Sequence, residues 1–274
     1  HKDNVFLIGS CFSENIGNYF KQYQIKSLIN PFGILFNPQS IVQGLEMAME
    51  NKAISKDQVI EHNKLWHSFL HHGKFSSPEK TELETRCTHS ISIASDAINT
   101  SSWLIITLGS AWVYRHKKTK EVVANCYKLP NTFFTKELLS INEITVRISG
   151  AIKRLKSINP TVKIITTISP VRHWKDGAIE NQQSKASLHL ALKELQSQFE
   201  NIVYFPAYEI MLDELRDYRF YAKDMLHPSE LAIEYIWEKF SQSFFSQETK
   251  KLNQRISQIN KEKKHRPFNP ESEE

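Results

Sequence analysis

Ser10 stands in Gly9-Ser10-Cys11-Phe12-Ser13-Glu14, where an apolar extended run gives way to a helical pattern. A serine at such a junction puts its hydroxyl at the carboxyl edge of a sheet. The helix that follows aims unpaired N–H groups and a positive dipole end at the same spot. That geometry suits a nucleophile whose own amide helps hold an oxyanion; the competing reading is that Ser10 or Ser13 is a helix N-cap and nothing more. Far along the chain comes Asp224-Met225-Leu226-His227-Pro228, just before another helical pattern. Asp-x-x-His lets a carboxylate hold one imidazole nitrogen while the other faces a serine as general base. Pro228 suits the first turn of the helix that follows. The plainer alternative makes Asp224 a cap and His227 a surface residue.

Other groups compete for a role. Cys11 is a rival nucleophile, because a helix N-terminus favours a thiolate. A side chain directly after a nucleophile normally turns into the helix–sheet packing, which makes Cys11 a core residue. Arg172 and His173 follow an apolar run and are placed to meet an anionic or hydroxyl-rich group of a substrate; alternatively Arg172 pairs with Asp176. His67, His71 and His72 include an i, i+4 pair, but no third ligand stands at a recognisable distance and Gly73 breaks the pattern, so no metal site is expected. Trp66 and His67 are better suited to a lid that contacts substrate, and better still to plain packing of the loop. No Gly-x-Gly-x-x-Gly or Gly-x-x-x-x-Gly-Lys string occurs, so no nucleotide cofactor is expected.

Positioning these residues falls to five short apolar runs, each reading as a buried parallel strand: 4–9, 25–29, 102–108, 162–168 and 201–205. Helical patterns alternate with them at 14–22, 38–50, 90–99, 136–157, 181–200 and 229–245. Alternation of this kind builds βαβ units, hence a three-layer α/β/α sandwich over a parallel sheet. Trp112–Ala124 reads as a small hairpin, and residues 56–84 form a long insert carrying Trp66 and the histidines. Residues 1–245 are expected to form one domain, and 246–274 a peripheral helix fading into a polar tail.

Composition narrows the classes. The 274 residues are 40% hydrophobic and 24% charged, ordinary for a globular chain long enough to bury a core without staples. No apolar run reaches the ~18–20 residues of a membrane span. The three cysteines (Cys11, Cys87, Cys126) match neither a disulfide framework nor a metal motif and read as reduced thiols of a cytoplasmic protein. The sequence starts at His1 rather than Met, which leaves a preceding signal segment open. The net charge of +5 gathers toward the C-terminus, where Lys250, Lys251, Lys261, Lys263, Lys264, His265 and Arg266 alternate with glutamates; this is a solvated helix rather than a nucleic-acid surface. Oligomeric state has no signature.

Taken together the strings are more specific than any one of them. Gly9-Ser10-Cys11-Phe12-Ser13 resembles the defining string of the GSCFA family, with Ser13 where alanine is typical. The resemblance extends through Asn30–Pro38 (NPFGILFNP), Thr107–Trp112 (TLGSAW) and Ile168–His173 (ISPVRH). That family sits among the SGNH/GDSL hydrolases and their esterase and acyltransferase relatives. The resemblance implies a flavodoxin-like five-stranded sandwich with Ser10 as nucleophile, His227 as base and Asp224 orienting it. It also implies oxyanion donors from the Ser10 amide and two later loops. Gly33 matches the first of these. Where a Gly-x-Asn is expected, the chain reads Gly109-Ser110-Ala111, so Ser110 or Asn37 is the candidate for the second. The implied substrate is a small-molecule or carbohydrate ester, and the implied reaction is hydrolysis. Transfer of the acyl group to a hydroxyl acceptor differs only in what reaches the acyl-enzyme. A non-catalytic binding module on the same fold is the third alternative, motivated by the missing Asn.

Overall fold

A computed structural model describes residues 1–264 of the chain. Its elements, in order, are β1 (Val5–Gly9), α1 (Cys11–Gln22), β2 (Ser27–Ile29), α2 (Pro38–Glu50), β3 (Val59–His62), β4 (Leu65–Ser68), α3 (Lys80–Thr100) and β5 (Trp103–Leu108). There follow β6 (Trp112–His116), β7 (Val122–Val123), β8 (Phe134–Leu138), α4 (Ile141–Ile158), β9 (Lys163–Ile168), α5 (Ala178–Gln198) and β10 (Ile202–Phe205). The last are α6 (Ala207–Glu209), α7 (Glu230–Phe244) and α8 (Gln247–Lys264).

The five apolar runs form one parallel sheet in the order β10-β9-β5-β1-β2. Counted along the chain within this sheet, that is 2-1-3-4-5 read from the β2 edge, the flavodoxin-like order. β1 is buried along its whole length, as a central strand covered on both faces must be. Side-chain alternation divides it cleanly. Phe6 and Ile8 join Leu104, Ile106 and Ile164 under α2, α3, α4 and α5, whereas Val5 and Leu7 join Ile105 and Ile165 under α1 and α7. This order places its switch point at β1, where the chain leaves toward β2 on one side and β5 on the other; ligands of such sheets bind at the carboxyl ends beside that point.

Three expectations about the elements are corrected. The helical pattern placed at 136–157 begins only at Ile141, because Ser140 caps α4 in a capping box with Glu143. The residues before it form β8, which pairs antiparallel with β6 (Trp112↔Leu138, Arg115↔Thr135) and turns the expected hairpin into a three-stranded sheet. Helix α3 starts at Lys80 rather than Ser90: Leu83, Cys87, Ile91, Ala94 and Ile98 recur at helical spacing and are buried, so the insert ends earlier than expected. Within that insert, β3 and β4 pair as an antiparallel hairpin.

Helix α8 follows α7 after a short break. Asn253 Oδ1 meets His1 Nε2 at 2.8 Å, and Asn260 donates to the Gln22 carbonyl at 3.1 Å, so α8 lies against the chain start and the end of α1. The polar tail expected beyond it falls outside the described residues. No described helix is long and apolar enough to cross a membrane.

Candidate active site

Ser10 is the N-cap of α1, and its Oγ accepts from the Phe12 amide at 3.3 Å. Ser10 thus takes the cap position that the sequence offered it, and it is only 1% exposed. Ser13 is also buried and donates to Thr107 Oγ1 at 2.7 Å, which leaves Ser10 as the serine at the sheet edge. The turn into the helix depends on Gly9, whose φ is +148°; a Cβ there would lie 2.2 Å from the Thr107 carbonyl oxygen. β1 and β5 therefore approach too closely at this end for any side chain. Asn30, just after β2, holds the junction from the other side: its Oδ1 accepts from the Gly9 amide at 2.9 Å and its Nδ2 donates to the Ser10 carbonyl at 3.4 Å.

The groups expected as oxyanion donors each make a hydrogen bond within the fold. The Ser10 amide donates to Thr107 O at 3.1 Å, extending the β1–β5 ladder by one residue. The Gly33 amide donates to Asn30 O at 2.8 Å, closing its own turn. Asn37 is the N-cap of α2, accepting from the Ser40 amide at 2.8 Å and donating to Ser40 Oγ at 3.0 Å. The Ser110 hydroxyl accepts from the Trp112 amide at 3.1 Å and faces Ser184 Oγ at 3.2 Å, so it organises the loop after β5.

Asp224 and His227 come together as the spacing predicts. His227 Nδ1 lies 2.6 Å from Asp224 Oδ2, and Asp224 Oδ1 accepts from the amides of Leu226 (2.9 Å) and His227 (3.0 Å). The two amides, followed by the imidazole, hold the Asp224 carboxyl down at about 2. The turn carrying them is stitched by Ala222 N to His227 O (2.7 Å) and anchored to the sheet edge by Arg172 N to Leu226 O (3.1 Å). Among the described residues, no hydrogen bond joins His227 to Ser10.

His173 follows β9 at the same edge and is largely buried, with Phe36 against its ring at 5.5 Å. Its Nε2 is buried without a hydrogen-bond partner and would lie 3.1 Å from a Cβ at Gly109, the residue after β5. Burial, then the Lys185 ammonium, push its pKa down to about 4, and the nearby His227 adds to the effect. Lys185 of α5 is itself fully buried and donates to Gly109 O and Ser169 O, both at 2.7 Å. It ties the loops after β5 and β9 together, at the cost of a pKa pulled down by burial to about 7.

Arg172 does not pair with Asp176, which is taken by Lys136. Its guanidinium instead lies over the Tyr221 ring at 4.1 Å. Trp66 and His67, expected to meet substrate, belong to the insert's own packing. The Trp66 ring carries Lys80 at 5.2 Å and packs with Phe75, Leu83 and Cys87. Both His67 nitrogens are engaged, with Ser76 Oγ at 2.6 Å and His62 O at 3.1 Å. His71 is buried between Ser68 and Ser90 hydroxyls. Cys11 has its thiol pKa raised by burial and then by Glu14, the opposite of an activated thiolate.

The sequence model of the GSCFA family matches residues 4–240. The chain belongs to the GSCFA family. No curated protein matches it. Among solved structures it is similar to a protein from Bacteroides fragilis provisionally named an acylhydrolase, at 10% identity and a TM-score of 0.47, over 93% of this chain and 89% of that one. It is also similar to a family 3 carbohydrate esterase from Clostridium thermocellum, at 11% identity and a TM-score of 0.41, over 88% of this chain and 94% of that one. In this GSCFA chain, two site residues carried no assigned role in the sequence. Asn30 lay inside a matching string, and Lys185 interrupts the apolar stripe of Leu188, Leu192 and Leu195, a pattern break that marks a buried cation.

Proposed function

We propose that the protein is a serine-dependent ester hydrolase with Ser10 as nucleophile, His227 as general base and Asp224 as the group that orients it. The observation that carries this is the Asp224–His227 pair at 2.6 Å, with the second carboxylate oxygen held by two backbone amides. A carboxylate so fixed has one imidazole nitrogen to orient, and it leaves Nε2 facing outward to take a proton. The turn bearing it is bonded to the residue after Val171, at the sheet edge where β1 delivers Ser10.

On this plan His227 Nε2 removes the Ser10 proton as Oγ attacks the ester carbonyl, and Asp224 stabilises the imidazolium. The tetrahedral oxyanion is met by His173. Its Nε2 is a buried side-chain nitrogen with no hydrogen-bond partner among the described residues, and its low pKa keeps the ring neutral. Collapse expels the alcohol, protonated by His227, and water then attacks the acyl-enzyme through the same base. Ser10 is buried and makes no hydrogen bond to His227 among the described residues, so on this plan their contact forms when substrate binds; catalytic contacts commonly tighten only on binding. The family resemblance favours a short acyl group on a carbohydrate or other small hydroxyl compound.

The test is fluorophosphonate labelling of wild type, Ser10→Ala and Cys11→Ala, read by intact mass. One adduct on wild type and Cys11→Ala, absent from Ser10→Ala, is the expected result. No adduct on any folded form would remove the activated serine. Release of free acid without an added acceptor then separates hydrolysis from acyl transfer.

A further inference from the structure

Among the described residues Arg172 has no counter-ion, whereas its charged neighbours Asp176, Asp217 and Arg216 are each paired. Its five N–H donors have no hydrogen-bond partner among the described residues. Asp176 is taken by Lys136. Asp217 accepts from the Arg219 amide at 2.9 Å and from its guanidinium at 3.2 Å, and Arg216 reaches Asp213 at 3.3 Å. Arg172 is held instead by aromatic rings: Tyr221 at 4.1 Å, Trp174 at 5.7 Å and Tyr218 at 5.9 Å. Stacking on ring faces fixes the guanidinium plane while leaving its edge donors free, which is the arrangement that grips a planar or tetrahedral oxyanion by two bonds.

This cation borders a cavity of about 210 Å³ lined also by Met211, Leu215, Arg216, Asp217, Tyr218 and Tyr221. The space is large enough for a small polar group; its apolar and aromatic walls also carry Asp217, paired with Arg219, and Arg216, paired with Asp213, which leaves Arg172 as the lining charge without an ion pair among the described residues. Its place matters as much as its chemistry. The Arg172 amide bonds Leu226 O at 3.1 Å, next to His227 in sequence, so the cavity adjoins the turn that carries the proposed base.

We propose that Arg172 and the cavity it lines with Tyr218 and Tyr221 form a subsite for an oxyanion group (carboxylate, phosphate or sulfate) carried by the ester that reaches Ser10. This deepens the ester-hydrolase assignment and rests on it for the substrate's reacting half. It commits the substrate to being an anionic ester rather than a neutral one. A charge-assisted hydrogen-bond pair typically separates charged from neutral ligands by about 10- to 100-fold.

The experiment compares kcat/KM for 4-nitrophenyl acetate, 4-nitrophenyl hemisuccinate (charge on the acyl side) and 4-acetoxybenzoate (charge on the alcohol side). The same set is run on Arg172→Gln and Arg172→Lys, with Ser10 labelling by fluorophosphonate as the control for serine chemistry. For at least one charged ester, the ratio of charged to neutral kcat/KM is expected to fall about 10- to 100-fold in Arg172→Gln. Arg172→Lys should recover part of it. If Ser10 takes the label but both ratios stay the same in Arg172→Gln, the subsite is overturned while the nucleophile stands. If Ser10 takes no label in wild type, the ester assignment fails, and binding is read directly by titrating inorganic phosphate against intrinsic tryptophan fluorescence at constant ionic strength. A saturable signal in wild type that vanishes in Arg172→Gln supports the anion site; its absence overturns it.

Discussion

Asp224 Oδ2 lies 2.6 Å from His227 Nδ1, while Asp224 Oδ1 accepts two backbone N–H bonds from the same turn. The carboxylate is therefore committed as an acceptor on both oxygens, and His227 must present its Nδ1 proton to it. Replacing Asp224 by Asn puts an amide at that position, and an amide nitrogen facing Nδ1 favours the wrong tautomer. Asp224→Asn is expected to slow Ser10 fluorophosphonate labelling by roughly 10³–10⁴. Both side chains are nearly half exposed, so thermal stability should change little. Labelling within tenfold of wild type would remove Asp224 from the mechanism.

The close approach of β1 and β5 at Gly9 leads to a stability prediction. A methyl group there would sit 2.2 Å from Thr107 O and 2.8 Å from Thr107 N, both backbone atoms that cannot swing aside, at a φ of +148° that only glycine adopts readily. Gly9→Ala is expected to cost at least about 3 kcal/mol, measured as a lower urea midpoint. A midpoint shifted by less than a third of that would mean the strand ends can separate.

Asn37 separates a cap from an oxyanion donor. Its side chain accepts from the Ser40 amide and donates to Ser40 Oγ, both internal to the start of α2. Asn37→Asp keeps the acceptor and discards the amide donor. Its labelling rate is expected to stay within twofold of wild type, and Asn37→Ala should lose about 1 kcal/mol of stability. A hundredfold loss of labelling in Asn37→Asp would restore Asn37 as the second donor.

What could be read from the sequence follows from how local each signal is. The five sheet strands were legible because buried parallel strands are unbroken apolar runs, and the Asp224–His227 pair because both partners lie in one turn. Strand β8 was not, since Phe134-Thr135-Lys136-Glu137-Leu138 buries little beyond Phe134 and runs on into the pattern of α4. The bonding of the oxyanion candidates was hidden for a different reason. Whether the Ser10 amide is free depends on Thr107, a residue distant in sequence that the register Gly9↔Thr107 brings alongside. No spacing rule reports that. His67 likewise looked available until the β3–β4 hairpin brought His62 O, and the following segment bridged to Trp66 at Ser77 brought Ser76 Oγ, to its two nitrogens.

Lys185 should give the protein an unusual alkaline stability profile. Burial pulls its pKa from 10.5 down to about 7 in the folded chain. Between those values the unfolded chain binds more protons than the folded one, so this residue's contribution to stability rises with pH across the window. Tyr127 and Cys87, whose pKa values burial raises, act in the opposite sense at high pH, so the comparison must be with a variant. The difference in unfolding free energy between wild type and Lys185→Met is expected to grow in favour of wild type from pH 7 to pH 10. The growth has an upper bound of about 4 kcal/mol. A difference that is flat across this range would mean that Lys185 titrates as if hydrated.

His173 provides a prediction in which activity and stability move apart. Its Nε2 is a buried polar atom without a partner, a group that costs stability unless something arrives to meet it. His173→Phe removes that atom and keeps an aromatic ring against Phe36. A purely structural histidine would then be dispensable, and the variant would be equally stable or more so, with unchanged labelling of Ser10. If Nε2 meets the oxyanion, the same variant keeps its stability but loses about 10²–10³ in ester turnover. The pH dependence sharpens the contrast. With its pKa held at about 4 in the folded chain against 6.5 unfolded, His173 withdraws stability as pH falls through that interval. His173→Phe should therefore gain on wild type between pH 6.5 and pH 4 in urea titrations, while remaining the slower enzyme at every pH where the two are compared. Full turnover in a folded His173→Phe would mean that a group other than His173 meets the oxyanion.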